Sequence, residues 1–169
     1  MKREIKNVRF AQIRDFDIVN GQGIAVSLFV QGCNQHCKGC FNKSTWDFDS
    51  GKEWNQDIED KFIELCQRQY VSCVSFLGGD PLDQPQEDMI HLLKRVQEEV
   101  KKPIFMWTGH YLDDEINNPV IRHVDYLIDG DFQEDKKEST LKLRGSSNQK
   151  IWYRNGNVWT DITELLERN

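Results

Sequence analysis

The sequence predicts an α/β fold in which a mainly parallel sheet is followed by a C-terminal hairpin. Apolar, β-branched runs alternate along the chain with amphipathic segments, and Asn155-Gly156 separates the last two short apolar runs. Strands that alternate with helices form parallel sheets with right-handed crossovers, and Asn-Gly is a hairpin signal. A chain of 169 residues can build a substantial core. We therefore expect residues 1–169 to form a single domain.

The predicted elements follow one another in a regular order. Residues 24–30 are largely apolar, which is typical of a strand buried on both faces. Further strands are expected at residues 71–77, 103–107 and 123–128, and in the hairpin at residues 151–153 and 158–160. Helices are expected at residues 57–69 and 84–101, because apolar residues recur there at helical spacing.

Charge and hydropathy narrow the possible classes of function. The net charge is −6, which disfavours nucleic-acid binding, since phosphate contacts require clustered Lys and Arg. The charged segment Met1–Lys6 is followed by no apolar stretch, and no apolar run approaches the length of a membrane span. We therefore expect a soluble cytoplasmic protein with no nucleic-acid or membrane partner.

Three cysteines follow the first predicted strand at short spacing. Cys33 and Cys37 are separated by three residues, and Cys40 follows after two more. Gly32 ends the strand, and Gly39 and Asn34 tolerate the left-handed conformations that a tight metal-binding loop needs. A helix with the three thiols on one face is the alternative for this segment. A four-iron cluster bound by three thiolates keeps one iron without a protein ligand, and that iron can bind a small molecule. The spacing therefore indicates an iron–sulfur cluster at Cys33, Cys37 and Cys40.

Two other interpretations of these cysteines stay open at this point. A structural zinc ion could use the thiolates with His36 or a distant group as the fourth ligand, although such sites usually pair two short cysteine knuckles. A disulfide would need an oxidising compartment and would leave an odd thiol. Cys66 and Cys73 lie in apolar stretches, which is typical of cysteines that pack in a core.

Glycine and polar residues follow each of the four predicted parallel strands. The cysteines follow the first strand, Gly78-Gly79-Asp80-Pro81 the second, Thr108-Gly109-His110 the third and Asp129-Gly130-Asp131-Phe132 the fourth. Ligands gather at the carboxyl ends of such strands, so we expect one shared site. Plain turns remain the alternative for the second and fourth loops, and the second lacks the Lys and Ser/Thr of a phosphate-binding loop.

At these residues the sequence resembles a known family. The cysteine spacing, followed one strand later by Gly78-Gly79-Asp80-Pro81, resembles the radical S-adenosylmethionine enzymes. Asn20-Gly21-Gln22-Gly23-Ile24 resembles the motif that precedes the first strand in glycyl-radical activating enzymes. The segments at residues 129–132 and 144–150 resemble the anaerobic ribonucleotide reductase activating proteins. The similarity spans about residues 8 to 153.

The resemblance implies a division of labour between protein and cofactors. Cys33, Cys37 and Cys40 would hold a [4Fe-4S] cluster, and S-adenosylmethionine would chelate the open iron. Gly78, Gly79 and Asp80 would hold its methionine amino group, with Thr108 and Asp129 as further cofactor-binding residues. Reductive cleavage would give methionine and a 5′-deoxyadenosyl radical. That radical would remove a hydrogen from a backbone glycine of the large reductase subunit.

The adenine site departs from the pattern of the superfamily. Many members carry an aromatic residue directly before the third cysteine, where this chain has Gly39, and the aromatic residue here is Phe41, directly after Cys40. Either Phe41 contacts the adenine instead, or the backbone and later loops hold it. Arg144 and Asn148 belong to the segment that resembles the activating proteins, and they could contact either the cofactor or the partner.

The resemblance also implies a fold and partners. A complete eight-stranded barrel typically needs about 250 residues, so this compact chain is expected to form an incomplete (β/α) TIM-like barrel, open to a protein substrate. The implied partners are the large subunit of anaerobic ribonucleoside-triphosphate reductase and a low-potential electron donor such as flavodoxin. Two other functions stay open: activation of a different glycyl-radical enzyme, and a non-catalytic iron–sulfur or zinc module for electron transfer or protein interaction.

Overall fold

A computed structural model describes residues 8–40 and 43–167. Its strands are β1 (Arg9–Asp17), β2 (Ala25–Val30), β3 (Lys52–Glu53), β4 (Cys73–Gly78), β5 (Ile104–Trp107), β6 (Tyr126–Asp129), β7 (Lys150–Asn155) and β8 (Val158–Asp161). Its α-helices are α1 (Gln56–Cys66), α2 (Gln86–Arg95), α3 (Leu112–Glu115) and α4 (Thr163–Glu167). Short 3-10 helices lie at Lys43–Thr45, Pro81–Asp83, Ile121–His123 and Glu134–Lys136.

The strands form one mixed sheet in the order β3-β1-β2-β4-β5-β6-β7-β8. The central strands β2, β4, β5 and β6 are parallel, as predicted. The prediction of a mainly parallel sheet is wrong for the flanks, because β1 pairs antiparallel with β2 and the predicted β7–β8 hairpin pairs antiparallel with β6. Among the described residues the sheet is not closed, since β3 and β8 form its two ends.

Each predicted strand and helix is present, with ends shifted by up to three residues. The predicted helix at residues 84–101 is α2, which begins after Pro85 and continues as a π-helical turn at Val96–Val100. The sequence analysis missed β1, β3, α3 and α4. β1 mixes charged and apolar residues, and its pairing with β2 shifts register twice, so the period-two pattern of a strand is interrupted.

The two faces of the sheet bury different side chains. The larger of two clusters of buried apolar residues lies on the face that α1 and α2 cover. In it, Leu28 and Phe76 of the central strands pack with Phe62 of α1 and Leu93 of α2. The opposite face carries a smaller cluster that includes Cys73, which is 1% exposed. Cys66 is also buried, so the core positions predicted for these two cysteines are confirmed.

A buried ion pair links the two long helices on the outer side. Glu59 of α1 is fully buried and accepts a hydrogen bond of 2.8 Å from the guanidinium of Arg95 on α2. His91 Nε2 lies 3.2 Å from the same carboxylate. This contact between α2 and α1 accounts for the position of His91. Within the described residues, no helix has the length and apolar character needed to cross a bilayer.

Candidate functional site

The loops that follow the parallel strands meet around one cavity of about 460 Å³. The predicted site residues that line it are Cys33, Cys37, Cys40, Gly78, Gly79, Asp80 and Thr108. The convergence of these loops, predicted from their order along the chain, is therefore confirmed. The volume lies within the range typical of small-molecule sites. Phe41 lies outside the described residues.

The cysteine loop is fastened to its neighbours by backbone hydrogen bonds. The Cys33 amide donates to the Trp46 carbonyl at 3.1 Å, and the Cys40 amide donates to the Cys37 carbonyl at 3.1 Å. The Asn34 amide donates to Asp83 Oδ2 at 2.9 Å. All three cysteines are half-buried, and no disulfide joins cysteines in the described part of the chain. The loop thus presents three cysteine sulfurs to one cavity.

The surroundings of Cys33 and Cys37 favour the protonated form of these two thiols. Burial raises the pKa of Cys33 to about 11, and the nearby Asp80 carboxylate adds to this, while backbone amides of Gln35 and His36 oppose it. Burial also raises the pKa of Cys37, with further contributions from the charges of Cys40 and Asp131. A cation that binds here must therefore displace protons from the sulfurs, which makes its binding depend on pH.

Gly78 and Gly79 allow the second loop to lie directly against the cysteine loop. The Asp80 amide donates to the Gly32 carbonyl at 2.8 Å. A side chain at Gly79 would place its Cβ 2.3 Å from that carbonyl oxygen. Gly78 has a φ of +106°, and a Cβ there would lie 2.7 Å from the Cα of Phe29. Only glycine fits both positions, which leaves backbone atoms exposed to a ligand.

Asp80 is a buried carboxylate that connects the second and third loops. It is 1% exposed, and it accepts hydrogen bonds of 2.9 Å from Thr108 Oγ1 and from the Gly109 amide. Burial and the charge of Asp83 raise the pKa of Asp80 to about 6, although the Gly109 amide and His110 oppose this rise. Asp80 therefore fixes the positions of the loops around the cavity.

Asp83 and His110 contact each other next to Asp80 and the cysteine loop. His110 Nε2 lies 2.8 Å from Asp83 Oδ1, while the other carboxylate oxygen accepts from Asn34 in the cysteine loop. The Cys33 sulfur and carboxylate oxygens of Asp80 and Asp83 lie within 4.8 Å of one another. Both carboxylates already accept hydrogen bonds, so these contacts account for their positions without a further cation. Sequence analysis did not select Asp83, and it named His110 in the third loop without giving it a role in the site.

The fourth loop and the segment that follows it also contribute residues to the wall of the cavity. Asp129 is 3% exposed and lies behind this wall, where its Oδ2 accepts from the Leu112 amide at 2.9 Å, while the next residue, Gly130, lines the cavity. Arg144 lines the cavity as well. Asn148 Nδ2 donates to the Asp131 carbonyl at 2.8 Å, so this segment is bound to the fourth loop.

Aromatic residues that the sequence analysis did not select also line the cavity. Trp46, Trp107 and Phe29 contribute to its wall, and Arg14 lies 4.8 Å from the centre of the Phe29 ring. The His36 ring stacks on Trp46 with centroids 4.6 Å apart. No pattern in the sequence indicated Trp46, because it lies in an irregular segment after the cysteines.

Two comparisons with known proteins agree with this arrangement. A family model described as a 4Fe-4S single cluster domain matches residues 19–152. Proteins named anaerobic ribonucleoside-triphosphate reductase-activating protein are similar over most of the chain. The one from Salmonella typhi is 41% identical over 152 residues, covering 85% of this chain and 97% of its own length.

The similarity extends to more distant relatives with the same name. The protein from Escherichia coli K12 is 40% identical over 152 residues, covering 85% of this chain and 97% of its own. The protein from Enterobacteria phage T4 is 34% identical over 155 residues, covering 90% and 98%. This chain belongs to the reductase-activating protein family. The resemblance to the activating proteins, drawn from the segments at residues 129–132 and 144–150, is thereby confirmed, and the family model describes a 4Fe-4S cluster domain.

Proposed function

We propose that this protein activates an anaerobic ribonucleoside-triphosphate reductase by reductive cleavage of S-adenosylmethionine at a [4Fe-4S] cluster. The observation that carries the proposal is the convergence of Cys33, Cys37 and Cys40 on one cavity beside the Gly78–Gly79 backbone. Three thiolates suit a four-iron cluster that keeps one iron open for a substrate. Structural zinc is a weaker fit, because such sites usually pair two short cysteine knuckles, and Cys66 and Cys73 are buried and do not line the cavity.

The three cysteines would bind the cluster, and the neighbouring loops would bind the substrate. When bound, the cluster supplies the electron that cleaves the sulfonium bond and yields a 5′-deoxyadenosyl radical. The backbone of Gly78 and Gly79 would hold the methionine amino group, because no side chain stands between that backbone and the ligand. Asp80 would act by holding Thr108 and Gly109 in place rather than by contact with the reacting atoms. Phe41 and Asp129 remain predicted cofactor-binding residues.

The walls of the cavity would exclude water from the reaction. Trp46, Trp107 and Phe29 are apolar surfaces in this wall, and a radical formed beside them would be kept from solvent. We further propose that the open eight-stranded sheet is an incomplete barrel within a single domain of residues 1–169. Such a barrel would admit a backbone glycine of the large reductase subunit, while a low-potential donor such as flavodoxin would reduce the cluster.

The proposal is tested by anaerobic reconstitution with iron and sulfide, followed by S-adenosylmethionine and a strong reductant. We expect 5′-deoxyadenosine as product, and a glycyl radical signal in electron paramagnetic resonance when the reductase is added. Cys33→Ala, Cys37→Ala and Cys40→Ala should each lose the cluster absorbance and both products. These losses are the largest effects expected for any single substitution in the chain.

Cys66→Ala and Cys73→Ala are matched controls, because each also removes one thiol from the protein. Both cysteines are buried and neither lines the cavity, and burial raises the pKa of Cys66 to about 12, so it stays a neutral thiol. We expect both variants to assemble the cluster, with a loss of about 1–3 kcal/mol in unfolding free energy from lost packing. A protein that binds zinc tightly and assembles no cluster would refute the proposed function.

A further inference from the structure

Asp83 connects the cysteine loop to the third loop. Its Oδ2 accepts a hydrogen bond of 2.9 Å from the amide of Asn34, which lies between Cys33 and Cys37. Its Oδ1 lies 2.8 Å from His110 Nε2. The Asp83 side chain is 6% exposed, so the solvent screens its charge only weakly. The carboxylate is therefore held at one place beside the first cysteine of the loop.

Two carboxylates lie close to the Cys33 sulfur. Oxygen atoms of Asp80 and Asp83 and the Cys33 sulfur all lie within 4.8 Å of one another. Burial is the largest cause of the raised pKa of Cys33, and the charges of Asp80 and Asp83 add to it. A negative charge that disfavours a thiolate also disfavours the addition of an electron to a metal centre that the sulfur binds. This side of the cysteine loop therefore opposes the reduction of a bound cluster.

The imidazole of His110 does not cancel this negative charge. In the part of the chain that the structure describes, His110 is the only basic side chain within 4.0 Å of either carboxylate. Its Nε2 lies 3.7 Å from Asp80 Oδ2, and its Nδ1 lies 3.6 Å from Glu115 Oε1. One imidazole thus faces three carboxylates, so the group as a whole is negative when the imidazole is protonated as well as when it is neutral.

We infer that Asp83 is a positioning residue that lowers the reduction potential of the proposed cluster by holding a negative charge next to Cys33. The inference rests on the proposed function and adds a residue that sets how strongly the cluster reduces S-adenosylmethionine. A lower potential makes the electron harder to accept from the donor but gives more driving force for cleavage of the sulfonium bond. The competing explanation is that Asp83 only fixes the shape of the cysteine loop through the Asn34 amide.

The variants Asp83→Asn and Asp83→Ala separate the two explanations. Asparagine keeps an oxygen that can accept from the Asn34 amide and removes the charge, whereas alanine removes both. Asp125→Asn is the matched control, because Asp125 Oδ2 also accepts from a backbone amide, that of Ile104, at 2.8 Å. Asp125 directly precedes β6 and Ile104 begins β5, so this contact lies at the opposite edge of the sheet from the cysteine loop.

The midpoint potential of the reconstituted cluster is measured for each protein by anaerobic redox titration followed by electron paramagnetic resonance. Iron and sulfide contents give the amount of cluster independently. The signal comes only from assembled cluster, so partial assembly does not disturb the measurement. Asp83→Asn is also made in the His110→Gln protein. Glutamine keeps a donor for residue 83 but carries no charge, so loss of a proton from the imidazole cannot offset the loss of the carboxylate charge.

We expect Asp83→Asn to assemble the cluster in wild-type amounts and to be reduced more easily. Its reduction equilibrium should shift about 10-fold towards the reduced form, which is about 59 mV for one electron, in the wild-type and the His110→Gln backgrounds alike. With excess strong reductant, cleavage of S-adenosylmethionine should be slower than in the wild type, because the electron has less driving force. Asp125→Asn should shift the equilibrium less than about 2-fold, since the distance and the solvent screen its charge.

Several results would overturn the inference. These are an unchanged potential in Asp83→Asn, an equal shift in Asp125→Asn, and a complete loss of cluster from Asp83→Asn, which keeps an acceptor for the Asn34 amide. A loss of cluster from Asp83→Ala, with an unchanged potential in the cluster that remains, would support the competing explanation instead. Failure of the wild type to assemble a cluster or to form 5′-deoxyadenosine would refute the proposed function itself.

Discussion

The two faces of the central sheet are built from alternate residues of the same strands, yet they have different tasks. Towards α1 and α2, residues such as Val26, Leu28 and Phe76 are fully or almost fully buried in a continuous apolar core. On the other face, small and polar residues such as Ala25, Ser27 and Ser75 occupy equivalent positions. Because successive side chains point to opposite faces, one strand serves both.

This difference separates stability from the shape of the site. Bulky residues on the helix side exclude water and provide most of the hydrophobic stabilisation. Small residues on the other side leave room, and the hydroxyls of Ser27 and Ser75 bind Asp17 and Asn20 instead of filling the space. Substitutions on the helix side should therefore change stability, whereas substitutions on the cavity side should change how the loops are held.

The neighbours Phe76 and Ser75 give the strongest test of this separation. Phe76→Ala should lower the unfolding free energy by about 3–5 kcal/mol, because a fully buried ring that packs with Phe62 is lost. Ser75→Ala should cost about 1 kcal/mol, the typical value of one hydrogen bond. Denaturant unfolding measures both. Under native conditions the Phe76→Ala protein should still assemble its cluster, and a failure to do so in the folded state would contradict the separation.

Gly78, at the end of β4 in the wall of the cavity, gives a second test of the difference between the two faces. Gly78→Ala should cost about 3 kcal/mol, because a φ of +106° is strained for alanine and the new Cβ would meet the backbone of Phe29 and Val30 at 2.7 Å. Gly156→Ala is the matched control. Gly156 also has a positive φ, of +62°, but a Cβ there meets nothing within 4 Å, so we expect a cost of about 1 kcal/mol.

The two variants differ in what surrounds the new methyl group. If Gly78→Ala and Gly156→Ala destabilise the protein equally in denaturant unfolding, backbone strain alone explains both costs. The close approach of β4 to β2 would then not be the reason for glycine at residue 78. Cluster absorbance after reconstitution provides a second measurement, because only the Gly78 change should disturb the loop that contacts Gly32.

Much of this architecture was predictable because it depends on local patterns. The apolar run of β2, the helical spacing in α2 and the Asn155-Gly156 turn each specify an element within a few residues. The shared site was also predictable, since loops after parallel strands lie at one edge. The antiparallel β1 was not, because its bulges and charged residues interrupt the alternation. The pairing of Asp83 with His110, 27 residues away, depends on tertiary structure that no local pattern records.

Asp17→Asn should have a smaller effect than Phe76→Ala or Gly78→Ala, and its effect should depend on pH. Burial alone would raise the pKa of Asp17, but hydrogen bonds from Asn20, Ser27 and the Val19 amide lower the pKa below its ordinary value of 3.8. A carboxyl group with a lowered pKa in the folded state stabilises the protein fully above its unfolded pKa. That stability is lost as the pH falls through the folded value. Asp17→Asn should therefore cost about 2 kcal/mol near pH 7, since hydrogen bonds to a charged acceptor are lost.

The difference between wild type and Asp17→Asn should shrink below about pH 4, where the wild-type carboxyl group also becomes protonated. Unfolding midpoints in denaturant at about pH 7 and about pH 3 measure this change. Asp47 is the matched control, because hydrogen bonds also lower its pKa, yet it is exposed to solvent. Asp47→Asn should have the smaller effect at neutral pH, since water replaces the lost contacts. A pH-independent difference for Asp17→Asn would mean that its charge is not what holds the backbone between β1 and β2.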